Sequence, residues 1–288
     1  MKIIFSRKGF DSSHGSGASA SPIFADGSMV SMPIPDSNSR QTYSDLRSPI
    51  AGYMNLGEIV DAMPTRVVRS GDGAHLDPDL DREVIGRDVG WRALFGQTSQ
   101  AQSHLENSGV AVGDLFIYFG WFREVEERVG RIQWLRGSPE LHVIFGWLQV
   151  GEILRVGSNP SVPDWANYHP HTVAGAYPNS NTIYVASERL TLPGIDPDAP
   201  GAGVFHKYHE RRRLTAPDGN GRSNWRLPVW FDPTRTDVAL TYHPKPAQWR
   251  VKETHVELDT VGRGQEFVFD ADVYPEALAW FGSMLPRD

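Results

Sequence analysis

Two short clusters define the chemistry this chain could perform: His75-Leu-Asp77 within an Asp-rich turn, and His169-Pro-His171 in a loop flanked by Trp165, Tyr168 and Tyr177. The 288 residues include no cysteine, so a metal bound through nitrogen and oxygen alone is the leading chemical reading. On extended backbone, residues two apart turn to the same side. His75 and Asp77 would then supply half of a site built from two histidines and one carboxylate, which leaves open positions for dioxygen and substrate and is used by non-haem Fe(II) oxygenases. Fe(II) is the expected cofactor, with another divalent metal as the alternative. Pro170 biases His169 toward extended backbone and fixes its own φ, which stiffens the second pair. The expected ligands are His75, Asp77, His169 and His171. Asp11 and Asp79 are the expected catalytic carboxylates or reserve ligands, and Tyr168 and Tyr177 are expected to flank the substrate.

Each cluster also has a plainer reading. Asp72, Asp77, Asp79 and Asp81 could form a solvated or Ca²⁺-binding turn, although the pattern lacks the Gly and terminal Glu of an EF-hand. His169 and His171 could be loop histidines packed on aromatics. His142 opens an apolar stretch and would point inward. His206 and His209 precede the run Arg211-Arg212-Arg213, which with Lys207 reads either as a solvated face or as a patch for phosphate or carboxylate. Asp26 and His14 are further donors near the N-terminal end, while the adjacent Ser12, Ser13 and His14 do not present a nucleophilic triad.

The elements that must position these groups are mainly strands. Residues 2–6 read as a buried strand running into a Gly/Ser-rich loop, and 22–35 as a hairpin around Asp26-Gly27 whose prolines favour an edge. A short helix is expected over 54–63. A second is expected from Trp91 to Leu105, where apolar residues recur at helical spacing before Gly109. The aromatic and β-branched runs 110–122 and 141–156 read as two core strands bent at glycines. Further strands are expected at 182–187, 238–242 and 266–269, with a closing helix at 275–285. Residues 193–235, dense in Pro, Gly, Asp and Arg, read as a long excursion over the sheet. With no repeat or linker, residues 1–288 are expected to form a single α+β domain, with a curved mixed or antiparallel sheet or barrel, flanking helices and long loops.

Composition narrows the partners. A net charge of −7 argues against strong sequence-independent binding of phosphate backbones, since that binding depends on many basic side chains displacing counterions. No apolar stretch approaches the roughly 18 residues needed to span a bilayer, and the opening apolar run is too short for a signal peptide. The expected location is therefore cytoplasmic. No G-x-x-x-x-G-K-[ST] loop or G-x-S-x-G elbow is present.

The segments Phe5-Ser6-Arg7-Lys8-Gly9-Phe10, Ser21-Pro22-Ile23, Asp26-Gly27 and Pro33-Ile34-Pro35 resemble the start of a bacterial and phage family, the nucleotide modification associated domain of type three. So do His75-Leu-Asp77-Pro78-Asp79-Leu80, Gly113-Asp114-Leu115-Phe116, Gly146-Trp147-Leu148-Gln149-Val150, His169-Pro-His171 and Gln265-Glu266-Phe267-Val268-Phe269-Asp270. The resemblance extends over nearly the whole chain and implies a role near nucleotides, in DNA base-modification systems. A weaker similarity links the strands around Gly113-Asp114 and Gly146-Trp147 to PUA-like barrels. This implies an aromatic pocket for a modified base, with Trp121, Phe122, Trp147 and Trp165 as its walls, whereas core filling is the ordinary role of such aromatics. The expected function is a metal-dependent, oxygenase-type enzyme acting on a nucleotide, nucleobase or peptide, with Arg211, Arg212 or Arg213 meeting an anionic group. The alternatives are a metal-free module binding a modified base and a metal-assisted phosphoester hydrolase.

Overall fold

The computed structural model describes residues 1–10, 19–64, 68–157, 162–173, 175–177, 180–262 and 266–286. Its strands are β1 (Lys2–Arg7), β2 (Ser21–Ile23), β3 (Ile34–Pro35), β4 (Ala74–His75), β5 (Leu94–Gln97), β6 (Leu115–Arg128) and β7 (Arg131–Trp134). They continue as β8 (Leu141–Arg155), β9 (Thr182–Ala186), β10 (Ala202–Val204), β11 (Asn224–Pro228), β12 (Trp249–Val251), β13 (His255–Asp259) and β14 (Glu266–Asp270). Three α-helices accompany them: α1 (Leu56–Ala62), α2 (Ser99–Asn107) and α3 (Glu276–Gly282).

The main sheet runs β14-β1-β6-β8-β9-β5, with β2 and β7 added to β6 and β10 to β8. It is mixed, because β1 is parallel to β6 and antiparallel to β14. β6 and β8 are antiparallel and carry its centre, and Leu115–Phe119 and Leu141–Val150 are buried without interruption. Such unbroken burial is what a strand covered on both faces requires. The expected α+β class and large mixed sheet are observed, with few helices. A closed barrel is not, since the end strands β14 and β5 do not pair with each other among the described residues. The similarity to PUA-like barrels gains no support from this strand order.

Two segments differ from their sequence reading. The stretch expected to be helical from Trp91 begins as β5, and helix α2 starts only at Ser99. Leu94 bonds Asp79 in both directions on one side, while β5 pairs with β9 on the other, so pairing on both edges overrides the helical spacing. Residues 238–242 are bend and turn rather than strand, with Ala239 and Leu240 buried and the Thr241 N–H donating to Val268 O of β14 at 3.0 Å.

The 193–235 excursion is structural. β10 extends the main sheet along β8, and β11 joins β13 and β12 in a second sheet. From β11, Trp225 is fully buried, with its ring centroid 4.9 Å from Phe119 and 5.6 Å from Phe5, and it donates to His142 Nδ1 at 2.9 Å. His142 therefore points inward, as its position on a core strand suggested. Trp225→Ala is expected to lower unfolding free energy by about 3–5 kcal/mol in urea titrations, the range for a large aromatic removed from a packed core.

Candidate metal centre

His75, Asp77 and His171 converge, with one ligand atom from each lying within 4.8 Å of the others. His75 Nε2 and His171 Nε2 are each 3.9 Å from Asp77 Oδ2. Three elements meet to produce this. β4 carries His75 and is held by pairing with β3, Asp77 follows in the turn that bonds to β5, and His171 lies in a short 3₁₀ turn, Pro170–Thr172. All three residues are nearly sealed from solvent. Bonds of about 2.1 Å to one ion put neighbouring ligand atoms about 3 Å apart, so loading a metal requires the three groups to close by about 1 Å.

Each imidazole is oriented through its other nitrogen. His75 Nδ1 lies 2.8 Å from Asp36 Oδ2, and His171 Nδ1 lies 2.7 Å from Asn181 Oδ1. Both partners are acceptors in these contacts, because Asn181 uses its amide nitrogen on His171 O at 2.8 Å. The protons are thereby placed on Nδ1, and both Nε2 lone pairs are left on the side of Asp77. The hydrogen bond from His75 holds the Asp36 carboxyl below its usual range despite partial burial. Burial pushes His171 down to about 3, so its ring is neutral and able to ligate.

Asp77 divides its two oxygens. Oδ1 accepts the Gly96 N–H at 2.7 Å and lies 3.3 Å from His169 Nε2, whereas Oδ2 is the atom nearest His75 and His171. Burial alone would raise the Asp77 pKa. The His169 imidazole, with His171 and His75 behind it, more than offsets this and keeps the carboxyl well below the ordinary carboxylate range. His169 Nδ1 accepts from the His171 N–H at 3.3 Å. Of the four expected ligands, the structure thus gathers His75, Asp77 and His171, and sets His169 against the outer oxygen of Asp77. Gly96 makes the approach feasible, since a Cβ there would fall 2.3 Å from the His171 ring.

The cluster opens on a cavity of about 260 Å³, whose wall includes Lys8, Gln97, Thr98 and Tyr177. Tyr177 stacks on His171, with ring centroids 4.3 Å apart. Lys8 Nζ and Gln97 Nε2 both donate to Glu266 Oε1, at 2.9 and 2.6 Å. In register across the sheet, Ser6 pairs with Glu266 on one side and Tyr118 on the other, which places all three side chains on one face. Ser6 Oγ, Tyr118 OH and Glu266 Oε2 are buried without a hydrogen-bond partner among the described residues. Burial, with the charges of Asp77 and Glu266, keeps Tyr118 protonated.

The sequence pattern described as nucleotide modification associated domain 3 matches residues 2–270. The chain belongs to this family. No curated protein and no solved structure matches it. The family's description associates it with nucleotide modification. Among the described residues, no helix is long and apolar enough to cross a membrane.

Other residues singled out in this family member lie elsewhere. Asp79 is held bidentately by Arg87 at 2.5 and 2.6 Å and also accepts from the Tyr168 hydroxyl, so both residues belong to a buried network with Trp91. Trp147 packs on Phe205 in the core, Arg222 lies over Trp121 at 4.0 Å, and Trp165 packs beside Gly90. None of Trp121, Trp147, Trp165 and Tyr168 lines the cavity, and Phe122 is fully buried in the core. Arg211, Arg212 and Arg213 follow β10, away from the cavity wall. Asp11, Ser12, Ser13 and His14 lie outside the described residues. Asp36, Asn181 and Gly96 had no motif to announce them, apart from a glycine interrupting an apolar run as a mark of close approach, and Lys8 stood only within a segment that carried the family resemblance.

Gly96→Ala is expected to abolish metal binding by displacing the His171 ring. Asp36→Asn and Asn181→Ala are each expected to weaken it about 10- to 100-fold, the usual effect of removing a partner that orients a ligand. Calorimetric titration of the apoprotein with Mn(II) or Fe(II) reads both.

Proposed function

We propose that this chain is a metal-dependent enzyme of nucleotide modification, in which His75, His171 and Asp77 bind one divalent ion, with Fe(II) as the working metal. The observation that supports it is the pair of imidazole Nε2 atoms, each locked through Nδ1, facing the free oxygen of a buried carboxylate. Two histidines and one carboxylate on one side of an ion leave positions for dioxygen and substrate, the pattern of oxygen-activating Fe(II) sites. His169 acts as a positioning group, holding Asp77 so that Oδ2 stays presented.

The cavity suits a small, acceptor-rich substrate. Its wall sets Lys8 and Gln97, both anchored by Glu266, beside the cluster, with Tyr177 as an aromatic surface. A nucleobase fits this chemistry, because its ring atoms offer hydrogen-bond acceptors at the edge and a flat face for stacking. Lys8 and Gln97 bind and orient that edge, and Glu266 fixes their position.

Protein purified anaerobically without added metal is expected to carry stoichiometric iron by elemental analysis. His171→Ala loses it, and turnover of nucleosides or oligonucleotides requires oxygen. Anaerobic turnover would assign metal-assisted hydrolysis instead, and full iron occupancy in a His75→Ala/His171→Ala protein would contradict the site.

A further inference from the structure

A second concavity lies beyond β10, lined by His206, Lys207, His209, Arg211 and Arg212 on one side and by Ser283 to Pro286 on the other. No carboxylate is among its described lining residues, but Lys207 is paired with Asp26 at 2.7 Å and His206 lies 3.4 Å from Asp81, which leaves Arg211 and Arg212 as the arginines available to a ligand. Arg212 is its centre. The guanidinium lies over the Phe205 ring at 4.1 Å, and its Nε is buried without a hydrogen-bond partner among the described residues. Burial pulls its pKa down, the mark of a cation held out of water without an ion-pair partner. The other arginines differ: Arg213 is drawn to Glu210 and to Thr215 O, and Arg211, among the described residues, donates to Ser283 O at 3.4 Å. His209 Nδ1 accepts the Arg211 N–H, so its ring proton is on Nε2 and can be donated.

A half-buried guanidinium with free donors, stacked on an aromatic ring among other cationic groups, is built for a planar or tetrahedral oxyanion. The groove is also placed to serve the metal centre. An apolar cleft between them shares Val204, Phe205 and His206 with the groove, and shares Gly9 and Asp77 with the cavity at the cluster. The three concavities thus share lining residues in series.

We propose that this groove binds backbone phosphates of a single-stranded nucleic acid whose reacting nucleotide lies at the metal centre, with Arg212 and Arg211 as the phosphate contacts. The proposal rests on the reading of the cluster as a nucleotide-modifying site. Single-stranded substrate suits a chain of net charge −7, since a local cationic groove grips a few phosphates without the broad basic face that duplex binding uses.

The test is fluorescence anisotropy with a labelled oligothymidylate over a series of salt concentrations, with metal content measured on the same preparations. The wild-type chain is expected to bind with a salt dependence, and Arg211→Ala/Arg212→Ala to bind about tenfold more weakly at low salt. The slope of log affinity against log salt should become shallower by about 1.4, as expected for two lost contacts to a single strand. Arg212→Lys keeps the charge and should retain most of the slope while losing affinity, which separates phosphate binding from a folding defect. Salt-independent binding, or identical curves for the wild type and the double variant, overturns the proposal. Unchanged metal content in that variant shows that the cluster reading stands independently.

Discussion

The constraint on which the site depends is the burial of the Asp77 carboxylate among three imidazoles. An ionised carboxylate removed from water must be compensated by hydrogen bonds and positive charge. Here one oxygen is satisfied by the Gly96 N–H and approached by His169, while the other is left to face His75 and His171. A cation bound among those atoms, as proposed, would complete the compensation. The surrounding geometry follows from it: Gly96 because a side chain would strike His171, and Asp36 and Asn181 because a ligand needs its lone pair aimed.

The sheet serves this arrangement by fixing what surrounds the turn. β5 is bonded on one edge to β9 and on the other to the backbone of Asp79, so the Asp77 turn is fastened to the main sheet. The Asp79–Arg87–Tyr168 network anchors the same turn to the segment that carries His169 and His171. Asp79 thus contributes to the site by tying two ligand-bearing segments together. The buried row of Ser6, Tyr118 and Glu266 lies on one face of the sheet, and Lys8 and Gln97 connect it to the cavity.

Much of this was legible in residue types and little of it in their placement. The strand β1, the core pair β6 and β8, helices α1 and α3 and the candidacy of His75, Asp77 and His171 could be read directly, since apolar runs and side chains able to ligate a metal carry local signals. Which histidine joins the His75–Asp77 cluster could not be read, because His169 and His171 are alike in sequence and differ in what their ring nitrogens meet, and those contacts come from elsewhere in the fold. Asp36 and Asn181 stand alone in loops, where a single carboxylate or amide has no pattern. The segment from Trp91 to Leu105 misleads for a related reason: the apolar spacing of α2 runs on into β5, and only pairing on both edges decides between them. Trp147 and Trp121 show the reverse, as aromatics on core strands that pack against the protein's own residues.

The account is tested most directly by anomalous scattering from crystals grown with Mn(II). It predicts a single strong peak within bonding distance, about 2.2 Å, of His75 Nε2, His171 Nε2 and Asp77 Oδ2, with His169 still directed at Oδ1. A peak elsewhere, or none at this cluster at saturating metal, would contradict the account.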